Sequence, residues 1–187
     1  NTVQDIDYKY DGYDYGCTPE NNVNGRLGSV QYGNYARCFY YDIRGRVIKE
    51  NLKIDSSWYN IEYTYDSNNN LISLKYPNNK IANYNYNNLN QLQSVTVDNK
   101  VTFYTYNADQ TIGTVTFPNS VLTTYGYTPK SWLESISTTK PGLNLFTRSY
   151  NYDKVGNIKN LYGDSLKTNL LASFNYDDMY RLGQVMD

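Results

Sequence analysis

The stretch Tyr63 to Tyr76, YTYDSNNNLISLKY, is the clearest copy of a unit that the chain rewrites along most of its length. Residues two apart on a strand share a face, so Tyr63 and Tyr65 project together, and aromatic residues suit a pleated, half-buried surface. Asp66 to Asn69 follow as a tight turn, because an Asp at the first turn position bonds back to the backbone and Asn tolerates the left-handed conformation. The chain then runs out again as Leu71 to Tyr76, and Pro77 with Asn78 signals a second reversal. One unit is thus a β-hairpin with the start of its next neighbour attached.

Outward from this stretch an anchor tyrosine recurs at Tyr41 (YDIRGRV), Tyr65 (YDSNNNL), Tyr86 (YNNLNQL), Tyr106 (YNADQTI), Tyr127 (YTPKSWL), Tyr152 (YDKVGNI) and Tyr176 (YDDMYRL), at spacings of 20 to 25 residues. Two positions earlier stand Phe39, Tyr63, Tyr84, Tyr104, Tyr125, Tyr150 and Phe174; six positions later stand Val47, Leu71, Leu92, Ile112, Leu133, Ile158 and Leu182. No helical period explains an aromatic and an aliphatic position in every copy. In six copies the residue after the anchor is Asp or Asn (Asp42, Asp66, Asn87, Asn107, Asp153, Asp177), and its side chain suits turn capping. Far turns are marked by YPNN at 76–79, VDNK at 97–100, FPNS at 117–120, KPG at 140–142 and YGD at 162–164. The near-turn glycine is present as Gly25, Gly45 and Gly156, replaced by Asn69 and Asn90, and lost at Gln110, Ser131 and Tyr180, where altered turns are expected.

Residues 1–38 form an irregular first repeat with an expanded turn and residues 39–187 the regular repeats, in one continuous repeat domain expected to be a piece of a larger protein. The 187 residues include 23 Tyr and 26 Asn, no His, and a net charge of −1, which gives no electrostatic footprint for nucleic acid. The apolar runs are a few residues long, far short of a membrane-spanning helix. Without His there is no Ser-His-Asp or Cys-His system, two cysteines alone make no zinc site, and no cofactor is expected. Asp5, Asp7, Asp11 and Asp14 lack the ligand spacing of a helix-loop-helix calcium site and read as a solvated edge. Asp42, Asp66, Asp153 and Asp177 would be turn caps before they would be an acid/base pair for glycoside hydrolysis.

The recurring Tyr-Asp followed by a Gly-Arg-Leu-like segment, best kept in YDIRGRV, YDSNNNL and YDKVGNI, resembles the YD repeats of rearrangement-hotspot (RHS) proteins, found also in insecticidal toxin complexes and teneurins. The resemblance covers at least residues 15–187. It implies a long antiparallel sheet of about eight tandem hairpins that twists and curls as part of a spiral, hollow shell. It further implies a non-catalytic wall, with flanking repeats and a C-terminal toxin or effector segment as partners, in a secreted or cell-surface protein. Relatives often cleave themselves beside an Asp-Pro motif, but this sequence has no Asp-Pro and no cleavage site is assigned. The physics is compatible: about 16 strands at ~4.8 Å make a sheet roughly 77 Å wide, too wide to stay flat. Equivalent tyrosines are expected to form rows of packed rings.

Two other readings share the hairpin period. Trp58 and Trp132 suggest a carbohydrate-binding repeat module, similar to choline- and glucan-binding repeats, or plain packing between units; an adhesion stalk is the third reading. Cys17 and Cys38 lie in adjacent units and are either bridged or free, the bridge closing a loop of about 22 residues. Terminal strands would be unpaired edges, prone to self-association.

Overall fold

The computed structural model describes residues 5–186, and the described residues form strands and turns with no helix. Two compact units divide the chain, one ending at Asn99 and one beginning at Lys100. The first holds β1 (Ile6–Tyr10), β2 (Leu27–Tyr32), β3 (Tyr35–Tyr41), β4 (Val47–Ile54), β5 (Ser57–Tyr65), β6 (Leu71–Lys75), β7 (Ile81–Tyr86) and β8 (Leu92–Val97). The second holds β9 (Lys100–Tyr106), β10 (Ile112–Thr116), β11 (Leu122–Tyr127), β12 (Leu133–Lys140), β13 (Leu143–Tyr152), β14 (Ile158–Tyr162), β15 (Leu170–Tyr176) and β16 (Leu182–Met186). Within each unit every strand pairs antiparallel with its chain neighbours, so sequence order is spatial order. The expected all-β hairpin repeat is what the chain forms.

Directly opposed residues share a face of the sheet. Register puts Tyr63 opposite Leu74 and Tyr84 opposite Val95 in the first unit, and Tyr104 opposite Val115 and Phe174 opposite Val185 in the second, so in each unit one face is aromatic and aliphatic. The other pairs Asn51 with Asn60, Asn85 with Ser94, Thr105 with Thr114 and Asn160 with Ser173. A sheet with a Ser/Thr/Asn face explains a mean hydropathy of −0.71 in a chain that is 16% aromatic. The residues that do bury are mostly small, among them Ala36, Cys38, Ala82, Val115, Ala172, Ser29 and Ser149.

Tyr40 is the large exception, fully buried beneath the long loop that joins β1 to β2. Tyr13 of that loop stacks on Tyr40 with centroids 5.2 Å apart and donates its hydroxyl to the Phe39 carbonyl at 2.9 Å. Asp14 N–H donates to Ser29 Oγ at 3.0 Å, Asn22 Nδ2 to the Tyr41 carbonyl at 3.1 Å, and Glu20 pairs with Lys49 at 2.7 Å. A Cys17–Cys38 disulfide, Cα atoms 5.8 Å apart, ties the loop to β3.

That loop is an insertion in an ordinary near turn. Tyr10 sits opposite Leu27 beside a register shift, as Tyr41 sits opposite Val47 and Tyr65 opposite Leu71. Asp11 N–H donates to the Arg26 carbonyl, as Asp42 N–H does to Arg46, and Gly25 N–H donates to Asp11 Oδ1. Tyr10 is therefore an eighth anchor and Asp11 its cap. The sequence signal was Tyr8-x-Tyr10-Asp11, hidden because the insertion separates it from Gly25-Arg26-Leu27.

Candidate functional site

The recurrent site is the joint between one hairpin and the next, and it is assembled from the turn outward. Each near turn carries a residue with positive φ four positions after the anchor: Gly45 (80°), Asn69 (69°), Asn90 (58°), Gln110 (69°), Ser131 (57°), Gly156 (101°) and Tyr180 (60°). In each, the first turn residue donates its N–H across the turn to the residue four on, for example Asp66 to Asn70, Asn107 to Thr111, Thr128 to Trp132 and Asp177 to Arg181. The turns at Gln110, Ser131 and Tyr180 are therefore unaltered, which corrects the sequence expectation. The cap supplies the geometry: Asp66 Oδ1 accepts from the N–H groups of Asn68 and Asn70, and Asp177 Oδ1 from Met179 and Arg181. Thr128 Oγ1 does the same for Lys130 and Trp132.

These bonds lower the aspartate pKa values. The side chain of Asn70 is the main cause for Asp66, and the N–H of Arg181 for Asp177. For Asp42 partial burial pushes up, but the bonds from Arg46 and Arg44 outweigh it.

What glycine provides is room. A Cβ on Gly156 would lie 2.9 Å from Cζ2 of Trp132, and Gly45 is similarly close to the Arg26 guanidinium. Trp132, five after its anchor Tyr127, and Arg26, its equivalent beyond the inserted loop, occupy one repeat position and lean on the turn of the following repeat. Before Ser131 and Tyr180 that position holds the smaller Thr111 and Asn157. Gly156→Ala is expected to destabilise the fold by about 2 kcal/mol, since it combines a left-handed alanine with a ring clash. Tyr180→Gly is expected to stabilise by roughly 0.5–1 kcal/mol by relieving the same strain in an open turn. Urea midpoints of the two variants check both signs.

The anchor completes the joint. Neighbouring hairpins pair in one register: Ser29 opposite Cys38, Lys49 opposite Glu62, Ser73 opposite Asn83, Thr114 opposite Thr124, Ser135 opposite Ser149 and Asn160 opposite Ser173. These are the last ladder pairs before the strands part at the near-turn end. Two residues beyond, a carbonyl is met by the anchor of the next repeat. Tyr41 donates its hydroxyl to Leu27 O, Tyr65 to Val47 O (2.8 Å each), Tyr86 to Leu71 O and Tyr176 to Ile158 O (2.9 Å each), and Tyr152 to Leu133 O. This accounts for Tyr at these five anchors, while the aromatic two positions earlier is Phe at Phe39 and Phe174.

At three joints the residue that precedes the bonded carbonyl's residue in the chain lies by the next anchor's ring. Arg26 sits 5.6 Å from the Tyr41 centroid, Arg46 4.8 Å from Tyr65, and Trp132 5.3 Å from Tyr152. Arg46 is held by Asp42 and reaches on to the Asp66 carbonyl and Asn69 Oδ1. Rows of ring on ring, as the sequence suggested, are not how these anchors meet. Equivalent anchors stand two strands apart, about 9.6 Å, beyond aromatic contact, so the intervening Arg or Trp fills the gap. Trp132 thereby has a packing role; Trp58 is half-exposed and lies near Lys53.

A separate cluster links three strands: Glu50, buried on β4, accepts from Arg37 and, at 2.9 Å, from the Tyr63 hydroxyl. Burial first, then Glu50, pushes Tyr63 up to about 12; burial likewise raises Tyr13 to about 12 and raises Tyr41, Tyr65, Tyr86, Tyr106, Tyr127 and Tyr152. A raised folded pKa means that the unfolded chain gives up its tyrosine protons first, near pH 10. Stability is therefore full below about pH 10 and falls as pH rises towards 12. Alkaline titration is expected to show tyrosinate absorbance and loss of β-sheet circular dichroism rising together; tyrosine ionisation with the sheet intact would contradict it.

The fold and its joint define a tandem hairpin-repeat protein. No family model matches the chain, and no curated protein matches it. Among solved structures it is similar to a chain of the TcdB2-TccC3-Cdc42 crystal structure, with a TM-score of 0.72 and 21% identity over 86% of this chain. It is also similar to TcdB2-TccC3 (TM-score 0.72, 18% identity, 95% of this chain) and to the Photorhabdus luminescens Tc holotoxin pore (TM-score 0.70, 18%, 86%). At these identities the likeness is one of fold, and the chain spans 9–10% of the length of those chains.

Proposed function

We propose that this chain is a non-catalytic wall section of an RHS/YD-repeat protein, one that encloses or presents a C-terminal toxin or effector segment of the same secreted protein. The observation that carries the reading is the joint: anchor hydroxyl, partner carbonyl and capped turn recur from repeat to repeat. Such a unit extends a sheet without limit, and each copy contacts only its neighbours. Its aspartates are engaged as turn caps, which favours a structural over a catalytic use. The fold likeness to chains of Tc toxin assemblies supports the same reading. Electron microscopy of the full-length parent protein, with its C-terminal segment present, tests it. A closed hollow particle with density inside is expected; a rod or a solid domain would overturn the encapsulating role and return weight to adhesion or sugar binding.

A further inference from the structure

β5 extends well past its neighbour β6. It pairs with β4 from Ser57 to Glu62 but with β6 only from Glu62 onward, because β6 ends at Lys75 and the chain turns away through Tyr76 to Lys80. Residues 57–61 therefore have no strand on their β6 side among the described residues, and this step lies inside the chain and owes nothing to its ends. The two-residue turn between Ile54 and Ser57 sets which groups are left open. Ser57, Tyr59 and Ile61 bond to β4, so the N–H and C=O of Trp58 and Asn60 point into the step.

The step is a cleft of about 280 Å³ between β5 and the turn at 76–79, with the Lys75–Glu62 ion pair (3.0 Å) at its inner end. Ser57, Trp58, Tyr59, Asn60 and Ile61 bring no charge, no proline and no bulge to its border, the devices that keep a free strand edge from pairing. Trp58 and Tyr59, 40% and 41% exposed, stand on opposite faces of β5, so an aromatic side chain flanks the cleft on each. Its charged lining residues, Glu62 and Lys75, neutralise each other, which suits an uncharged occupant. The second unit shows what fills such a step. There residues 143–148 of β13 extend past β14, and the loop 163–169 folds back against the inner end: the Asp164 carbonyl accepts from Ser149 Oγ at 2.7 Å, and Thr147 and Ser149 are buried. The turn at 76–80 does not fold back in this way, and residues 57–60 stay exposed.

We propose that the step at β5 captures an extended, uncharged peptide segment of a partner, about five residues long, which continues the line of β6 and pairs antiparallel with residues 57–61. The second and fourth residues of the segment lie opposite Asn60 and Trp58 and exchange main-chain hydrogen bonds with them. β-Branched or aromatic side chains suit the places opposite Ile61, Tyr59 and Trp58, where a charged one would have no counterpart. The proposal concerns one open edge, so it stands or falls apart from the shell reading.

Fluorescence anisotropy of a labelled peptide, VTVTV with a Gly-Ser-Lys tail for solubility, titrated with the chain tests this. Saturable binding is expected. Methylating the amide nitrogens of peptide residues two and four, which face β5, is expected to weaken it at least about tenfold, and methylating those of residues three and five, which face away, to leave it unchanged. Asn60→Pro removes an N–H that points into the step and spares the ladder to β4, and is expected to weaken binding about tenfold with unchanged circular dichroism. If that variant does not fold, the methylated peptides carry the test on the unaltered chain. No saturable binding, equal loss with either methylation pattern, displacement of the peptide by a linear glucan, or a dimer of the chain that Asn60→Pro dissociates would each overturn the proposal, the last two giving the cleft to a sugar or to a second copy.

Discussion

Replacing both Tyr65 and Tyr86 by alanine is expected to cost about 5 kcal/mol of stability, and replacing both by phenylalanine about 2–3 kcal/mol. The two series separate the ring from its hydroxyl. Each alanine removes a half-buried ring, and at Tyr65 also the platform under the Arg46 guanidinium. Each phenylalanine keeps the ring and strands a backbone carbonyl, Val47 or Leu71, at the point where two hairpins part. A carbonyl that loses its donor away from water costs ~1–3 kcal/mol, more than the net value of the bond itself. Tyr150→Phe is the internal control: its position tolerates Phe in other repeats, and the change is expected to stay within ~0.5 kcal/mol. Urea denaturation of the variants reads all three. If the phenylalanine pair melts like the wild type, the hydroxyl-to-carbonyl joint is not what holds neighbouring hairpins together.

Removing the Cys17–Cys38 bridge, by reduction or by Cys17→Ser with Cys38→Ser, is expected to cost about 3 kcal/mol through the entropy regained by the opened loop. The loss should be local. The bridged loop covers β3, and Tyr40 owes its burial to it, so reduction is expected to unpack the Tyr13–Tyr40 stack and expose Ser29 and Cys38. In a hairpin array each repeat is stabilised mainly by its neighbours, so the unit from Lys100 onward is expected to keep its own melting transition. Hydrogen exchange before and after reduction checks this. Fast exchange confined to residues 11–41 is the expected pattern; unchanged protection there would show that the loop holds without its bridge.

Much of this architecture is legible in residue order because its causes are local. The Tyr-x-Tyr alternation, the Asp or Asn after each anchor and the Pro, Gly and Asn of the far turns act within a few residues of themselves, and they place the strands and reversals where the structure has them. Two inferences failed where local reasoning stopped. Gln110, Ser131 and Tyr180 keep the standard turn because its shape is set by the cap and closing hydrogen bonds, while Gly45 and Gly156 make room for Arg26 and Trp132 of the preceding repeat. Anchor rings do not stack on one another because the strand spacing keeps equivalent positions too far apart.

The sequence by itself determined the hairpin period, the all-β class and the aromatic face, since these follow from alternation and turn chemistry. Tertiary structure alone decided what the anchor hydroxyl is for, which carbonyl it meets, why Arg26 and Trp132 require glycine beyond them, and that the expanded loop folds back as a cover over Tyr40. All of these depend on contacts between residues 14 to 27 positions apart, such as Tyr41 with Leu27 and Tyr13 with Tyr40. Such pairs are brought together by register and by the parting of strands at each near turn, and neither is written in the residues of one hairpin.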